Sequence, residues 1–359
     1  MNLDCTLVEK MLKEFESGKN YICFGAGNRF KEYMNKYVNI SSPNIKKPKY
    51  VCDNNEAFWG KNICGIEVCS PEKLLLEEPE DIIIIASGGA PYSVIDNLFS
   101  TELQGHYYAT VPLEMLTTYF YYKKNYDMIE AVYNFMDDKK SKVDFEKYFQ
   151  LSLDGAFSYL PVYTPNAYWN NDLVEKLEDG MNVLYAGAFD GKHIDRALKN
   201  NCNIIFHGFE PNKPMYLNLI EKYKDKTNVK LYPYALSDNQ EVFDFDPTFS
   251  LGAKVIKKDD LKEVLLIENL VKVESNTVDD TVGVPLDLIA LDIEGAEVEA
   301  LKGARNMIKE HKPVLGICVY HKIEHYVEVP MTIKEINPDY KLYFRHHSVA
   351  STESVVYAK

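Results

Sequence analysis

Apolar runs that stop at polar residues mark the strands of this chain, and the clearest one opens residues 287–304. Its sequence, DLIALDIEGAEVEALKGA, places Asp292 and Glu294 directly behind a buried strand, and Gly295 then permits a sharp turn. The apolar spacing of residues 296–305 predicts a helix. Ligands of open α/β sheets bind outside the carboxyl ends of the strands, so we expect both acids near a ligand crevice. Two alternatives stay open: Asp292 only caps the turn, or the alternation of side chains turns one acid away.

The rest of residues 181–359 repeats this order of strand, turn and helix. A glycine-rich turn, AGAFDG, follows the first strand, and Glu210 ends the second. The separation of Gly187 and Glu210 is close to the ~20 residues at which an acid reaches a ribose hydroxyl in a dinucleotide-binding fold. The strands predicted here are 181–185, 203–209, 229–234, a region around 242–246, 271–277, 314–320 and a terminal hairpin of 341–345 with 354–358.

Residues 1–120 have the pattern of a smaller Rossmann-like α/β domain. A helix at 3–16 precedes a strand at 21–24, the turn GAGNRF and a second strand that ends in Asp53. This is the order of a nucleotide-binding βαβ unit, with Gly25, Gly27 and Asp53 as its candidate site. Phe30 stands at the place of the third glycine, which weakens the fingerprint. Dinucleotide or sugar-nucleotide binding and a structural or dimerising role therefore both stay open.

Residues 121–180 are rich in tyrosine and phenylalanine at spacings of three and four, which predicts helices. We expect them to form a helical bridge between the domains at 1–120 and 181–359, because an aromatic stripe at this spacing is typical of a packed core. Tyr163, Tyr168 and Trp169 are expected near the mouth of an active site.

Charge and cysteine content limit the classes of partner. The formal charge of −14 argues against sequence-independent binding to nucleic acid or to an anionic membrane surface. The seven cysteines form no C-x-x-C pair and several lie in apolar runs, which favours a reduced, cytoplasmic chain without structural zinc. The longest apolar run, 82–86, is too short to span a bilayer, so membrane insertion is not expected.

The second half of the chain contains a series of motifs: AGAFDG, GFEPN, YALSD, NTVDD, LDIEGAEVEALKGA, KPVLGICVYH and TESVVYA. In this order and spacing they resemble the FkbM family of S-adenosylmethionine-dependent methyltransferases, over about residues 125 to 358. The resemblance implies an α/β fold with a seven-stranded class I methyltransferase sheet, whose last two strands form an antiparallel hairpin. It also implies methyl transfer to a hydroxyl of a sugar, of a surface-glycan precursor in polysaccharide biosynthesis, or of a natural product.

The resemblance places S-adenosylmethionine at the glycine turn and the strand ends. Glu210 would meet the ribose hydroxyls, Asp238 the adenine, and Asp292 the positively charged methionine part. The family's loop usually opens with an acid that helps to hold the cofactor's amino group, whereas this chain has Tyr185; either Asp190, Asp292 or a water substitutes for it, or the affinity is reduced. The residues implied at the cofactor are Gly187, Ala188, Asp190, Gly191, Glu210, Asp238 and Asp292.

Methyl transfer to a hydroxyl needs a base as well as positioning. His321 follows the strand 314–320 and so lies at the same sheet edge as Asp292, and an ordinary histidine pKa of about 6.5 suits this work. We therefore predict His321 as the general base, with Asp292 and Glu294 orienting the acceptor or the imidazole. Three further histidines, His325, His346 and His347, either line the same pocket or lie at the surface, and we expect the surface.

A divalent metal is the competing chemistry at this edge. Asp292, Glu294 and His321 carry oxygen and nitrogen donors that suit Mg²⁺ or Mn²⁺. Nothing in their spacing requires a metal, so we assign none.

Two other functions fit part of the sequence. A nucleotide-sugar oxidoreductase or epimerase would use Gly25, Gly27 and Asp53, and Tyr119 and Lys123 have the spacing of its Tyr-x-x-x-Lys pair. A non-catalytic nucleotide-binding protein would explain Tyr185 as the mark of a decayed cofactor loop. The expected partner is a small molecule, a sugar nucleotide or a glycan acceptor, and a homodimer stays an open alternative.

Overall fold

The computed structural model describes residues 1–38, 46–78, 81–86, 109–155, 163–200, 203–245, 255–256, 271–348 and 352–359. The chain folds as two compact units. The first comprises residues 1–126 and 146–157, and the second comprises residues 127–145 and 158–359. The domain bounds derived from the sequence, 1–120, 121–180 and 181–359, stay predictions.

The first unit is built on a mostly parallel sheet. Its strands are β1 (Asn20–Phe24), β2 (Val51–Cys52), β3 (Asn62–Ile63), β4 (Ile66–Cys69), β5 (Ile82–Ala86) and β6 (Ala109–Pro112), in the order β3-β4-β2-β1-β5-β6. Only β3 runs antiparallel to its neighbour β4. Because β2 and β5 lie on opposite sides of β1, the loop after β1 occupies the point where the strand order reverses.

The helical segments of the first unit are shorter than the sequence predicts. The helix expected at 3–16 begins at Thr6, and the helix after the Gly-x-Gly turn spans only six residues before a π-helical turn. These segments are α1 (Thr6–Glu16), α2 (Asn28–Tyr33), the π-helical turn Met34–Val38 and the 3₁₀ turns Glu56–Phe58 and Pro71–Leu76.

Two long helices follow β6 and cover the first part of the predicted helical region, whereas residues 163–180 form no helix. They are α3 (Leu113–Phe135) and α4 (Lys139–Leu153), and each contributes residues to both units. The backbone of α3 leaves helical geometry at Asn125, which is adjacent to the boundary between the units.

The second unit contains a seven-stranded sheet in the order β16-β17-β15-β14-β7-β8-β9. Six strands run in the same direction, and only β17 runs antiparallel, between β15 and β16. This is the class I methyltransferase sheet with its terminal hairpin, so the predicted fold class is confirmed. The strands are β7 (Asn182–Ala186), β8 (Ile205–Phe209), β9 (Val229–Tyr232), β14 (Leu288–Leu291), β15 (Val314–Cys318), β16 (Leu342–His346) and β17 (Ser354–Ala358).

A smaller sheet and short helices complete this unit. The sheet has the order β10-β13-β11-β12, with β10 (Ala235–Leu236), β11 (Val242–Phe245), β12 (Val255–Ile256) and β13 (Val271–Asn276). The helices are α5 (Lys192–Asn200), α6 (Lys213–Tyr223), α7 (Val278–Thr281), α8 (Glu297–Lys302), α9 (Arg305–His311) and α10 (His325–Ile336).

The register of β7, β14 and β15 fixes one edge of the large sheet. Leu291 pairs with Ala186 on one side and with Ile317 on the other, so the three strands end side by side. All four residues of β14 are buried, as expected for a strand that is covered on both faces. The chain segments that begin at residues 187, 292 and 319 therefore leave the sheet at the same edge.

Two predicted bounds differ from the structure. The strand expected at 314–320 ends at Cys318, which leaves Tyr320 and His321 beyond it. The single helix expected at 296–305 is instead the pair α8 and α9, with Gly303 between them. A side chain at Gly303 would overlap the carbonyl oxygen of Ser237, so only glycine allows this close backbone approach.

Within the described ranges, every helix is too short or too polar to cross a membrane.

Candidate active site

Asp292 lies directly beyond β14, and tyrosine hydroxyl groups surround its carboxylate. Tyr168 donates a hydrogen bond of 3.0 Å to Oδ2, and Tyr320 donates one of 3.1 Å to Oδ1. Tyr185 reaches Oδ2 at 3.5 Å. The amides of the following turn bond elsewhere, because Glu297 Oε1 accepts from the backbone N–H groups of residues 293 and 295. Glu297, and not Asp292, therefore caps this turn.

His321 lies against the same edge and brings the predicted catalytic residues together. Its Nδ1 is 2.8 Å from Glu297 Oε1, while its Nε2 is 3.4 Å from Asp292 Oδ1 and 3.5 Å from Glu294 Oε2. The side chain is only 6% exposed. Nε2 forms no hydrogen bond with any of the described residues. The structure thus places Asp292, Glu294 and His321 in one cluster, although their catalytic roles stay predictions.

Glu297 is a component of this site that sequence reasoning missed. It is fully buried and lies between two histidines: its Oε1 meets His321, and its Oε2 is 3.0 Å from His325 Nδ1 as an ion-pair contact without hydrogen-bond geometry. An acid in the first turn of a helix ordinarily indicates a favourable interaction with the helix dipole, so its position in α8 gave no distinct signal.

The prediction that three further histidines lie at the surface is wrong. His325 and His346 are 1% exposed, and His347 is 8% exposed. Each ring has a polar neighbour inside the unit, and the hydrogen bonds of His346 and His347 compensate for the loss of water. Those partners are Glu297 for His325, Ser354 for His346, and the Thr164 carbonyl with the Tyr357 hydroxyl for His347.

The electrostatics of the cluster favour a protonated His321. Burial opposes the charged imidazole, but the carboxylate of Glu297, followed by those of Asp292 and Glu294, raises the pKa of His321 to about 9. Burial raises the pKa of Glu294 to about 7. At neutral pH and without a ligand, His321 therefore carries a proton on each nitrogen, and it must lose one before it can act as a base.

The loop after β7 is held tightly against its neighbours. Gly187 has φ +91°, and a side chain there would overlap the backbone carbonyl oxygen of Asp292. The amides of Gly187 and Ala188 both donate to the carbonyl of Phe209 at the end of β8. Gly191 has φ +79°, and a side chain there would collide with the hydroxyl of Tyr223. Three of the predicted cofactor residues are thus in positions that the backbone fixes.

Glu210 joins this loop to the second strand. Its Oε2 accepts from the amide of Phe189 and its Oε1 from the amide of Asn212, both at 2.8 Å. The residue is 6% exposed, and burial raises the pKa of its carboxyl group. Each oxygen keeps a second lone pair for a hydroxyl donor.

Two other predicted cofactor residues bond to residues close to them in the sequence. Asp190 accepts from the Lys192 amide at 3.0 Å and pairs with the Lys192 ammonium at 2.8 Å. Asp238 is exposed after β10, where the Ser237 hydroxyl donates to it at 3.3 Å.

Tyr185 is part of a buried aromatic cluster. Its ring stacks on His193 with 4.5 Å between centroids, and Tyr168 and Trp169 pack edge-on to it at 5.3 Å and 6.1 Å. Tyr168 and Trp169 thus lie at the edge where the sequence predicts an active-site mouth, whereas Tyr163 is 54% exposed. The Tyr357 hydroxyl accepts from the Tyr168 amide at 2.8 Å, which fixes this segment to β17.

In the candidate nucleotide site of the first unit, the carboxylate of Asp53 accepts hydrogen bonds from backbone amides. Asp53 accepts from the Ala26 amide at 2.7 Å and from the Asn55 amide at 2.8 Å, and Gly25 has φ +97°. Gly27 precedes the six-residue helix α2. Nucleotide binding at Gly25, Gly27 and Asp53 stays a prediction. Tyr119 and Lys123, the candidate catalytic pair of the oxidoreductase alternative, both contact Glu9 of α1.

No group of three or more His, Cys, Asp or Glu side chains in the described part of the chain is arranged to hold a metal ion.

Comparisons with known proteins bear on the family and the fold of this part of the chain. Residues 186–347 match the family model described as the methyltransferase FkbM domain, so the predicted family resemblance is confirmed for this part of the chain. A crystal structure of a methyltransferase FkbM from Methylobacillus flagellatus KT matches with a TM-score of 0.63 at 16% identity, over 97% of this chain and 93% of that one. This likeness shows a common fold.

Weaker partial matches include a fibrillarin from Aeropyrum pernix with bound S-adenosyl-L-methionine, at TM-score 0.33 and 10% identity over 51% of this chain and 67% of that one. Another is an O-methyltransferase from Bacillus cereus in complex with SAH, at TM-score 0.29 and 9% identity over 50% and 73%. No curated protein matches the chain in sequence.

Proposed function

Since residues 186–347 match the model of the methyltransferase FkbM domain, we propose that the chain is an S-adenosylmethionine-dependent O-methyltransferase. The proposed acceptor is a hydroxyl of a sugar, of a surface-glycan precursor or of a natural product. The observation that carries this proposal is His321 Nε2, a buried nitrogen without a hydrogen bond among the described residues, at the same sheet edge as the glycine loop. A hydroxyl acceptor needs a proton acceptor in such a place.

The residues at the edge fit the cofactor. S-adenosylmethionine, when bound, supplies a methyl group on a positively charged sulfur. The loop from Gly187 to Gly191 offers backbone approach, and Glu210 keeps lone pairs for the ribose hydroxyls. Asp292, at the end of the adjacent strand, supplies negative charge for the methionine part, and the exposed Asp238 is proposed at the adenine.

His321 moves the proton in this proposal. Glu297 holds Nδ1, which leaves Nε2 as the free nitrogen beside Asp292 and Glu294. The nearby carboxylates raise the pKa of His321, so a bound cation that offsets them lowers it again. The ring then becomes neutral with its proton on Nδ1, which donates to the carboxylate of Glu297, and Nε2 can accept the proton of the hydroxyl.

The pH dependence of kcat/KM tests the link between Glu297 and His321. Measured with S-adenosylmethionine as the varied substrate, this constant reports the free enzyme, so we expect it to rise with pH up to about 9, the pKa of His321 within its coupled cluster of carboxylates. Glu297→Gln removes the negative charge that stabilises the imidazolium, so the pKa of His321 falls. We expect the acidic limb of the profile to move down by about one pH unit or more. An unchanged limb, or one that moves to higher pH, would contradict this assignment.

Calorimetry with S-adenosylhomocysteine tests the proposed cofactor. We expect the purified chain to bind it, and Glu210→Ala to weaken the binding by at least about tenfold, since the ribose and the loop both lose the carboxylate. Glu310→Ala, which removes an exposed glutamate of α9, is the matched control and should bind like the unmodified chain. The proposal fails if the unmodified chain binds no S-adenosylhomocysteine.

Methyl transfer itself is measured with methyl-labelled S-adenosylmethionine and a panel of free sugars and sugar nucleotides. Label on a hydroxyl oxygen of one of these acceptors is the expected result. Label found only on nitrogen or carbon acceptors would contradict the O-methyl assignment.

A further inference from the structure

Arg196 on α5 is a partly buried cation without a counter-charge. One of its terminal nitrogens, Nη2, donates to the Ala167 carbonyl at 2.5 Å, and the guanidinium lies 4.6 Å from the centre of the Trp169 ring. Its Nε is buried and has no hydrogen-bond partner, and Arg196 forms no ion pair with any of the described residues. Burial lowers the pKa of Arg196. A guanidinium in such surroundings is costly unless an anion arrives to pair with it.

Two more buried nitrogens without partners lie beside it. Trp169 is fully buried, and its Nε1 finds no acceptor within the described ranges. The ring of His193 is 5.8 Å from that of Trp169, and its Nδ1 also lacks a partner. An indole N–H and a guanidinium can only donate, so this cluster requires an acceptor, and its positive charge favours an anionic one.

Glu353 is an acid that has no positively charged partner among the described residues. It precedes Ser354, whose carbonyl accepts from the Val319 amide at 3.0 Å, so it lies at the end of β15 near Tyr320 and His321. Its carboxylate forms no hydrogen bond or ion pair with the described residues. Burial, and then Asp292, raise the pKa of Glu353 to about 7, whereas His321 and Arg196 act in the other direction. The positive charge of Arg196 therefore favours the ionised form of Glu353, although no hydrogen bond or ion pair joins the two side chains.

The helix after the cofactor loop thus carries a guanidinium, and the segment before β17 carries an acid, neither of which has a partner of opposite charge among the described residues. A zwitterionic α-amino acid has the matching charges, because its ammonium and carboxylate groups are attached to one carbon atom. Two tyrosines connect Asp292 with the aromatic residues beside Arg196. Tyr168 and Tyr185 donate hydrogen bonds to Asp292, and their rings pack against those of Trp169 and His193.

We propose that Glu353 and Arg196, together with the indole N–H of Trp169, bind the amino-acid end of the methyl-donor cofactor. Glu353, with Asp292 beside it, takes the ammonium group, and Arg196 and Trp169 take the carboxylate. This inference rests on the proposed function and deepens it. Glu353 and Asp292 then supply the negative charge that Tyr185, which stands in place of an acid at the start of the loop, does not carry.

Two ligands that differ only in this end test the proposal by calorimetry. S-adenosylhomocysteine carries the amino-acid end, whereas 5′-methylthioadenosine keeps the adenosine and the thioether without it. The full-length chain should bind the first more tightly. Glu353→Gln and Trp169→Phe should each weaken S-adenosylhomocysteine by about tenfold and leave 5′-methylthioadenosine within about twofold, since each removes one charge or one donor from the amino-acid end.

The matched control is Trp59→Phe, which changes the chain's other tryptophan, in the first unit, and should alter neither affinity. Thermal unfolding of each variant verifies that the chain still folds. If the unmodified chain binds S-adenosylhomocysteine but the variants lose both ligands equally, or lose neither, the assignment of these residues is wrong and the proposed function stands. If the unmodified chain binds neither ligand, both are wrong.

Discussion

His321→Gln is expected to lower kcat by about 1,000-fold, while S-adenosylhomocysteine binds with nearly unchanged affinity. A general base typically contributes between about 100-fold and about 10,000-fold to the rate, and a glutamine cannot accept the proton. The cofactor residues of the loop remain in place, so the loss should fall on kcat rather than on binding. Initial rates with the acceptor identified in the labelling assay, together with calorimetry, provide the measurement.

His311→Gln is the matched control for this change. His311 ends α9, its side chain is 37% exposed and its Nε2 lies 4.0 Å from the exposed Glu310, so its loss should leave kcat unchanged. A second comparison separates the two candidate bases, because the pKa of Glu294 is also raised, to about 7. If Glu294→Gln removes the activity and His321→Gln retains most of it, the base is Glu294 and our assignment is wrong.

Gly187→Ala is expected to weaken S-adenosylhomocysteine by at least about 100-fold, or about 2.7 kcal/mol. The new side chain would overlap the carbonyl oxygen of Asp292, and neither backbone can yield without moving the loop from the sheet edge. The positive φ of +91° adds strain for any residue other than glycine. Calorimetry on the purified variant measures the loss.

Gly180→Ala separates the collision from the strain. Gly180 has φ +88°, almost the same as Gly187, but a side chain there meets nothing within 4 Å. It should reduce stability by about 1 kcal/mol and leave cofactor affinity unaffected. Equal effects of the two variants on affinity would show that the contact between the loop and Asp292 has no special role.

The fold of the second unit was predictable because its signals are local. The apolar runs of β7 and β14 end at a glycine and an acid, and each of these boundaries is visible within a few residues of sequence. Their parallel pairing follows from the strand–helix alternation, and it places Asp292 beside the loop at Gly187 without further information. The proximity of His321 to Asp292 was predictable for the same reason.

The remaining parts of the site depend on contacts between distant residues. Tyr168 was expected near the site from its place in an aromatic stretch, but its bond to Asp292 joins residues 124 positions apart. Arg196 and Glu353 lie on elements whose own patterns show only a solvated helix face and the start of a strand. Glu297 was hidden because its partners, His321 and His325, come from a later segment.

The burial of His346 and His347 shows the same limit. A histidine in a terminal hairpin has no local pattern that distinguishes an exposed ring from one with internal partners. Here Ser354 and Tyr357 of the neighbouring strand β17, together with Thr164 from a distant segment, provide those partners. Side-chain burial therefore had to come from the three-dimensional arrangement.

A crystal structure of the full-length chain with S-adenosylhomocysteine tests the central claim most directly. We predict density in the second unit along the loop from Gly187 to Gly191, with the ribose at Glu210 and the sulfur facing His321. Density in the first unit at Gly25 and Gly27, or a ligand in the second unit whose sulfur faces away from His321, would contradict the account.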